Sequence, residues 1–321
     1  MSWSVEVDLK SLVLDAIGQI PRGRVSTYGD VAMAMGDIRA ARAVGTIMAE
    51  DPESSPLPCH RVVYSDGHVG NQGGHGKGAE RNAELLRSEG VKVEDDRVDL
   101  VDHFTDFQVR PMLEELAREQ EDMRGSVVEE DDFEDLERVA GFDVAYSGDQ
   151  GFGCLVVYDL ESIRKVEVRT VQRRVRFPYI PGYLGYRESP IAQELIAAEE
   201  EMIYLIDGQG RLHPRGFGIA CQIGVSLGVP TVGAAKSLLL GKVGEEMEGR
   251  APVAIEGKLA GYRLRPSGRA KVYVSVGHRV SLETSVELCR RLMVKGVPEP
   301  QRQAHMGATE LRRKYQSEAC R

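Results

Sequence analysis

The first hundred residues carry apolar side chains at helical spacing, interrupted by short turns. The apolar pattern runs to Ile20 and ends at Pro21 and Gly23, and Gly36 separates two further short segments. Two helices joined by a tight turn form a helix-turn-helix, which is typical of DNA-binding domains, although any two short helices can produce the pattern. The expected helices cover residues 12–20, 28–35, 39–50 and 79–89.

From residue 139 onward, short apolar runs of strand length replace the helical pattern. A group of strands with antiparallel character comes first, and a strand–helix–strand order follows it. This order predicts a mixed α/β sheet flanked by helices. The expected strands cover residues 139–145, 153–158, 166–171, 202–207, 230–235, 260–265 and 271–276, and the expected helices cover 190–201, 217–227 and 281–293.

Acidic residues are concentrated between the two patterns. Residues 94–137 contain 18 acidic and 4 basic residues, a local charge of −14, so the rest of the chain carries +5 of a total of −9. The net charge therefore does not argue against a nucleic-acid partner. We expect residues 94–107 to be a connection with little packing. We expect residues 111–137 to be a mostly helical, solvated spacer that does not contact DNA.

A chain of 321 residues is long enough for two domains, each with its own core. We predict an N-terminal domain over residues 1–100, a linker over 101–107 and a C-terminal domain over 108–321. No run of about 18 apolar residues and no signal-peptide pattern is present, so we expect a cytoplasmic protein that does not contact membranes. Five scattered cysteines form neither a disulfide framework nor a CxxC pair, which fits a reducing compartment. No feature indicates an obligate protein partner.

Two aspartates stand where apolar strands should be buried. Asp143 interrupts the expected strand VAGFDVA, and Asp207 ends the apolar run MIYLID. A buried carboxylate is costly unless it is paired or binds a cation. A turn-capping role would explain Asp207 but not Asp143, so the pair predicts a hard oxygen site suited to Mg²⁺ or Mn²⁺. Such a site can activate water and stabilise a phosphodiester transition state.

Five motifs accompany these aspartates: PYIPG (178–182), YRE (186–188), DGQG (207–210), HPR (213–215) and AAKS (234–237). In this order they resemble endonuclease V, a family of RNase H-like nucleases that act at deaminated bases, over about residues 108 to 318. The resemblance implies that four residues bind Mg²⁺, for which Mn²⁺ can substitute: Asp143, Glu188, Asp207 and His305. It also implies that Lys236 lies near the scissile phosphate, where a fixed cation stabilises developing charge.

The same resemblance assigns residues that recognise the lesion. Tyr179, between two prolines, corresponds to a wedge that takes the place of a base in the stack. His213 corresponds to a histidine near the lesion pocket, although taken alone it would be a surface residue. Many relatives have Ser-His where this chain has Cys221 and Gln222. We expect Cys221 to be a buried helix residue and Gln222 to affect phosphate contacts or pH dependence.

The motif PCHRVV places the thiol of Cys59 directly beside the imidazole of His60. The thiolate is the nucleophilic form of cysteine, and a histidine with a fixed partner lowers the pKa of the thiol. A cysteine taken alone is a buried, inert residue roughly ten times more often than a nucleophile. The surroundings of the motif therefore decide its interpretation.

Together with IPRGRV, TYG and AARAVG, this motif resembles the C-terminal half of O6-alkylguanine-DNA alkyltransferases, over about residues 9 to 93. The resemblance implies a winged helix-turn-helix-like fold in which Cys59 accepts the alkyl group. It implies that His60 relays the thiol proton through water toward Glu89. It also implies that Arg42 fills the gap left by a flipped guanine and that Tyr28 rotates the 3′ phosphate.

Three interpretations follow. The first is a bifunctional repair enzyme that acts on double-stranded DNA. It would nick at the second phosphodiester 3′ to deoxyinosine and transfer alkyl groups from O6-alkylguanine to Cys59, with no cofactor for the transfer. The second is a nuclease fused to a module that senses alkylated DNA without transfer; Asp51, where the family has asparagine, would put negative charge near the thiol. The third is a transcription regulator, against which the nuclease motifs argue. Because Cys59 is present, we favour the first.

Overall fold

The computed structural model describes residues 8–51, 56–71, 78–134, 136–197, 202–265 and 271–319. Within these ranges the chain forms two compact units. The N-terminal unit comprises residues 8–118 and 176–181, and the C-terminal unit comprises 119–175 and 182–319. The division falls inside a helix, whereas we predicted domains that meet at a linker over 101–107. The predicted domain bounds stay a prediction.

The N-terminal unit contains the expected helices with short paired strands between them. Thr27 begins the second helix with a capping box, because its hydroxyl accepts from the Asp30 N–H at 3.0 Å and its own N–H donates to the Asp30 carboxylate at 3.2 Å. The elements are α1 (Leu9–Gly18), β1 (Ser26–Thr27), α2 (Tyr28–Ala34), α3 (Ala41–Ala49), β2 (Val62–Val63), α4 (Gly78–Ser88), β3 (Val93–Glu94), β4 (Arg97–Val98) and the first turns of α5 (Met112–Met123), with 3₁₀ turns at Ile38–Ala40 and Cys59–Arg61.

Residues 101–107, predicted to be a linker, bond to the N-terminal unit. The Phe104 N–H donates to the Val25 carbonyl at 2.7 Å, and Arg24 Nη2 donates to the Asp102 carbonyl at 2.6 Å. The predicted acidic helix over 111–137 is too long, since α5 ends at Met123 and residues 127–134 are in neither helix nor strand.

A nine-stranded sheet, counted over the described residues, forms the middle of the C-terminal unit in the order β10-β11-β12-β13-β9-β8-β5-β6-β7. The strand β8 is parallel to both β5 and β9, and the other neighbours are antiparallel. The strands are β5 (Arg138–Ser147), β6 (Gln150–Asp159), β7 (Arg164–Arg174), β8 (Ile203–Ile206), β9 (Thr231–Ala235), β10 (Lys242–Val243), β11 (Arg250–Ile255), β12 (Lys258–Leu264) and β13 (Val272–His278), with a separate pair β14 (Met293–Val294) and β15 (Val297–Pro298). The helices are α6 (Leu184–Leu195), α7 (Ile219–Leu227), α8 (Leu282–Arg291) and α9 (Glu299–Ala319).

Both faces of this sheet are buried. Along β8, Ile203 and Leu205 point into a core shared with α8 and α9, whereas Tyr204 and Ile206 point into a core shared with α6 and α7. This strand is apolar throughout because successive side chains face opposite sides of a sheet that is covered on both. The predicted mixed α/β class is confirmed. None of the helices in the described ranges combines the length and the apolar character needed to cross a membrane.

The helix predicted over 190–201 begins earlier, at Leu184. Proline favours the first turn of a helix, and the prediction used Pro190 as that start, but Pro190 lies inside α6. The helix α9 was not predicted. Its buried positions are mostly small or polar residues, so no apolar stripe marks it: Pro300, Gln301, Ala304 and Ala308.

Candidate functional site

The two predicted aspartates meet where the short strand β8 ends beside the middle of β5. Phe142 in β5 is in register with Ile206 in β8, so the next residues, Asp143 and Asp207, lie side by side. The Asp207 N–H donates to the Phe142 carbonyl at 3.3 Å. The strand pairing itself therefore places the two carboxylates next to each other.

Helix α9 brings His305 to the same place. Its start crosses β5 at Gly141, where a Cβ atom would lie 2.2 Å from the backbone carbon of Pro300. This close approach puts His305 Nδ1 2.7 Å from Asp143 Oδ2. One ligand atom each from Asp143, Asp207 and His305 lies within 4.8 Å of the others. The structure therefore joins three of the four predicted metal ligands in one cluster.

Lys236 and Glu188 border this cluster. Lys236 follows β9, and its Nζ contacts Asp207 Oδ2. Glu188 lies on α6, is 7% exposed and accepts from the Tyr146 hydroxyl at 3.2 Å. The guanidinium of Arg187 stacks over the Tyr146 ring at 4.0 Å. Tyr146 is a site residue that the sequence analysis missed, although it stands three positions after Asp143 on the same strand.

The electrostatics of the cluster suit a divalent cation. Burial, and then the negative charge of Asp207, raise the pKa of Asp143. Burial, followed by the charges of Asp143 and Asp207, raises the pKa of Glu188 well above its usual range. Carboxylates that repel one another in a buried place are stabilised by a hard cation that takes oxygen ligands. The donor set of carboxylates and one imidazole fits Mg²⁺ or Mn²⁺.

The predicted lesion residues lie in different surroundings. Tyr179 is 58% exposed, as a residue that inserts between bases would be. His213 is buried, and its Nδ1 accepts from the Arg215 N–H at 3.3 Å. Cys221 is buried in α7, as predicted. Gln222 is 0% exposed. Its expected effect on phosphate contacts or pH dependence stays a prediction.

The second candidate site lies around Cys59, in a 3₁₀ turn of the N-terminal unit. The Cys59 thiol donates to Asp51 Oδ2 at 3.9 Å. Burial and the negative charge of Asp51 raise the pKa of Cys59 to about 11. The thiol is therefore protonated at neutral pH, which differs from the lowered pKa expected from His60.

The predicted partners His60 and Glu89 are joined directly. His60 Nε2 is 2.9 Å from Glu89 Oε1. Arg61, which the sequence analysis did not single out, donates to both oxygens of Glu89, at 2.9 and 2.7 Å. The bond to Arg61 is the largest reason that the pKa of Glu89 falls to about 2, and the bond to His60 adds to it. Glu89 is therefore a fixed anion that orients the imidazole beside the thiol.

Tyr28 and Arg42 complete the predicted set. The Tyr28 ring is 8% exposed and packs against that of Tyr64, with centroids 5.2 Å apart. Burial, with the charges of Tyr64 and Cys59, raises the pKa of Tyr28, so its hydroxyl stays protonated. Arg42 is exposed on α3. Neither residue is bonded to Cys59, and their predicted contacts with DNA stay a prediction.

Comparisons with known proteins agree with both parts of the chain. A family model described as Endonuclease V matches residues 121–306. A model described as 6-O-methylguanine DNA methyltransferase, DNA binding domain, matches residues 8–91. A bifunctional methyltransferase/endonuclease of Picrophilus torridus is 35% identical over 311 residues, which cover 96% of this chain and 98% of the relative.

Solved structures resemble the C-terminal part. Endonuclease V from Streptomyces avermitilis is 34% identical with a TM-score of 0.57, over 65% of this chain and 95% of that one. Endonuclease V from Ciona intestinalis, solved in complex with a 24mer DNA containing an inosine followed by a ribo-adenosine, is 26% identical with a TM-score of 0.58, over 63% of this chain and 98% of that one. The family resemblances predicted from the motifs are confirmed.

Proposed function

The chain belongs to the family of bifunctional methyltransferase/endonuclease proteins, and on that premise we propose that it carries out two DNA-repair reactions, one in each domain. The C-terminal domain nicks DNA beside deaminated bases. The N-terminal domain takes the alkyl group of O6-alkylguanine onto Cys59. The domain bounds of this proposal are residues 1–100 and 108–321, with 101–107 between them.

The observation that carries the nuclease proposal is the cluster of Asp143, Asp207 and His305, whose ligand atoms lie within 4.8 Å of one another. These residues, with Glu188, would hold Mg²⁺ or Mn²⁺, which when bound activates water and offsets charge on a phosphodiester. The Lys236 ammonium, fixed at Asp207, adds positive charge where the transition state gains negative charge.

Recognition of the lesion belongs to Tyr179 and His213. Tyr179 takes the place of the displaced base, because an exposed aromatic ring between two prolines stacks on bases without a large loss of entropy. His213 lies near the displaced base. The inosine-containing DNA bound to the Ciona intestinalis relative supports an inosine in DNA as the lesion. The proposed substrate is deoxyinosine in duplex DNA, and the proposed cut is at the second phosphodiester on its 3′ side.

Alkyl transfer moves one carbon group from oxygen to sulfur. The Cys59 thiol loses its proton toward His60 and Glu89, and the thiolate attacks the alkyl carbon. The S–C bond forms while the C–O6 bond breaks, and the guanine takes up a proton from solvent. Arg42 fills the gap left by the extruded guanine, and Tyr28 acts at its 3′ phosphate. The thioether has no leaving group, so each molecule reacts once. The transfer itself needs no metal.

A second candidate function for the N-terminal domain is the sensing of alkylated DNA without transfer. The observation that favours it is the Cys59 pKa of about 11, because a protonated thiol is a poor nucleophile.

One set of incubations tests these proposals. Duplexes that contain inosine or O6-methylguanine are mixed with the protein, with Mg²⁺ or with excess EDTA. We expect nicks at inosine only with Mg²⁺, and one methyl group on the peptide containing Cys59 under both conditions. Nicking in EDTA contradicts the metal site. Binding of O6-methylguanine DNA without a change of protein mass supports the sensing function.

A further inference from the structure

The last turn of α5 carries a glutamine on its buried side. In the C-terminal unit, Gln120 is 1% exposed although its neighbours Glu121 and Asp122 are exposed. Burying an amide costs free energy unless both its oxygen and its nitrogen form hydrogen bonds. The bonds that Gln120 makes therefore indicate what this turn contributes.

The oxygen and the nitrogen of the Gln120 amide both bond to side chains of the C-terminal unit. Gln120 Oε1 accepts from Arg215 Nε at 2.6 Å, and Gln120 Nε2 donates to Gln222 Oε1 at 3.4 Å. Arg215 belongs to the HPR motif, and Gln222 is the residue that replaces the histidine of many relatives. The acidic segment, predicted to be a spacer, thus supplies a side chain to the interior of this domain.

Arg215 connects the residues that flank the lesion. Its Nη2 donates to the carbonyl of Gly182, which closes the PYIPG motif that carries Tyr179. Its guanidinium stacks over the Tyr183 ring at 4.5 Å, and its backbone N–H donates to His213 Nδ1 at 3.3 Å. The buried guanidinium of Arg215 therefore holds the last residue of the PYIPG motif, while the backbone of the same residue bonds to His213.

The surroundings of this network are closely packed. Gln222 lies fully buried on α7 against α6, where a Cβ atom on Gly185 would lie 2.0 Å from Gln222 Oε1. Arg215 is 9% exposed, so water does not replace a lost acceptor freely. A change at Gln120 must therefore be transmitted to Arg215.

We propose that Gln120 is a positioning residue for lesion recognition, which acts through the guanidinium of Arg215 on Gly182, the last residue of the PYIPG motif. The proposal rests on the proposed nuclease function. It assigns to α5 a part in discrimination between deaminated and normal DNA. Gln120 itself touches no DNA.

The test compares the full chain with Gln120→Met, which keeps the side-chain volume but removes the acceptor of Arg215. The quantity measured is the ratio of kcat/KM for an inosine duplex to that for an undamaged duplex. We expect the ratio to fall by roughly ten- to a hundredfold, the worth of a hydrogen bond to a charged group. The Mg²⁺ concentration at half-maximal rate should not change, because Gln120 is not bonded to the metal ligands.

Three control variants separate positioning from folding. Gln193→Met makes the same substitution at an exposed position of α6 and should leave the ratio unchanged. Gln120→Glu keeps an acceptor for Arg215, and a flipped Gln222 amide can donate to it, so this variant should retain discrimination. Gln120→Met combined with Arg215→Met should lower the ratio no further than Arg215→Met alone.

A variant that merely folds poorly loses activity on both duplexes equally, so its ratio stays that of the wild type. An unchanged ratio in Gln120→Met overturns the proposal, as does an equal loss in Gln193→Met. A wild-type protein that does not prefer inosine overturns the proposed function itself, and that result is obtained before any variant is made.

Discussion

The two candidate sites differ in how their negative charges are balanced. In the C-terminal unit, burial and then the charges of neighbouring carboxylates raise the pKa of Asp143 and the pKa of Glu188. In the N-terminal unit, Glu89 is bonded to Arg61 and His60, and its pKa falls to about 2. Negative charge is therefore in excess at the first site and already balanced at the second.

This difference supports the proposal that a cation binds at the first site and that the second site works without one. Converging carboxylates become stable when an external positive charge binds them, and the same charge would then assist hydrolysis. At the second site, Glu89 and Arg61 hold the imidazole of His60 in place, and the neutral thiol of Cys59 is the proposed acceptor. On this proposal the first site turns over repeatedly, whereas the second reacts once.

The largest expected effect is the loss of alkyl transfer when the N-terminal site alone is changed. Cys59→Ala removes the only acceptor sulfur of that site, so alkyl transfer should disappear, while cutting at inosine should keep its wild-type rate. Mass spectrometry of the protein after incubation with O6-methylguanine DNA measures alkyl transfer. Gel analysis of nicked inosine DNA measures the rate of cutting. A methyl group that still appears in Cys59→Ala would place the acceptor elsewhere.

The next largest effect is the loss of cleavage when the C-terminal site alone is changed. Asp143→Asn keeps the shape of the side chain but removes one of the converging charges. Cleavage at inosine should fall by about a thousandfold, as for the loss of one preorganised catalytic group. Lesion binding and alkyl transfer should persist, since neither uses these carboxylates. Nicking by Asp143→Asn at near wild-type rate would contradict the metal assignment.

The sequence predicted the aspartate pair because an acidic residue inside an apolar strand is conspicuous. It also predicted that β5 and β8 belong to one sheet, and the register of their parallel pairing then places Asp143 beside Asp207. His305 was assigned by family resemblance alone. The helix that carries it packs through small residues such as Ala304 and Ala308, which leave no apolar periodicity to read.

The predicted spacer role of the acidic segment, residues 94–137, rested on its charge, since half of its residues are charged. Its contribution depends on single side chains whose partners are distant in sequence, and local patterns do not report them. Gln120 bonds to Arg215, and Asp131 accepts from the Ser281 N–H at 2.7 Å at the start of α8. Similarly, burial and then the charge of Asp51 raise the pKa of Cys59, and neither follows from the local sequence.

A smaller effect is expected from Asp51, whose negative charge lies near the thiol of Cys59. Asp51→Asn removes a negative charge that raises the pKa of Cys59, so the pKa should fall and alkyl transfer at pH 7 should speed up. Each unit of decrease raises the thiolate fraction about tenfold and lowers its nucleophilicity, for a net gain of roughly threefold. Transfer rates measured from pH 6 to 10 should rise with pH in both proteins, with the variant levelling at lower pH. Identical profiles would remove Asp51 from the account.

The smallest expected effect concerns the contribution of Glu89 to the stability of the N-terminal unit. The pKa of Glu89 is about 2 in the folded chain, below its ordinary value of 4.5, because Arg61 and His60 stabilise its anion. A lowered folded pKa means that this stability is present above pH 4.5 and is lost as the pH falls toward 2. Glu89→Gln should therefore reduce the free energy of unfolding at pH 7 by about 1–3 kcal/mol, the cost of losing bonds between charged groups. The difference from wild type should shrink as the pH falls from 4.5 toward 2. Hydrogen exchange of peptides from α1 and α4, followed over this pH range, measures it within the N-terminal unit alone. A difference that is the same at pH 3 and pH 7 would show that the glutamine changes packing and not charge.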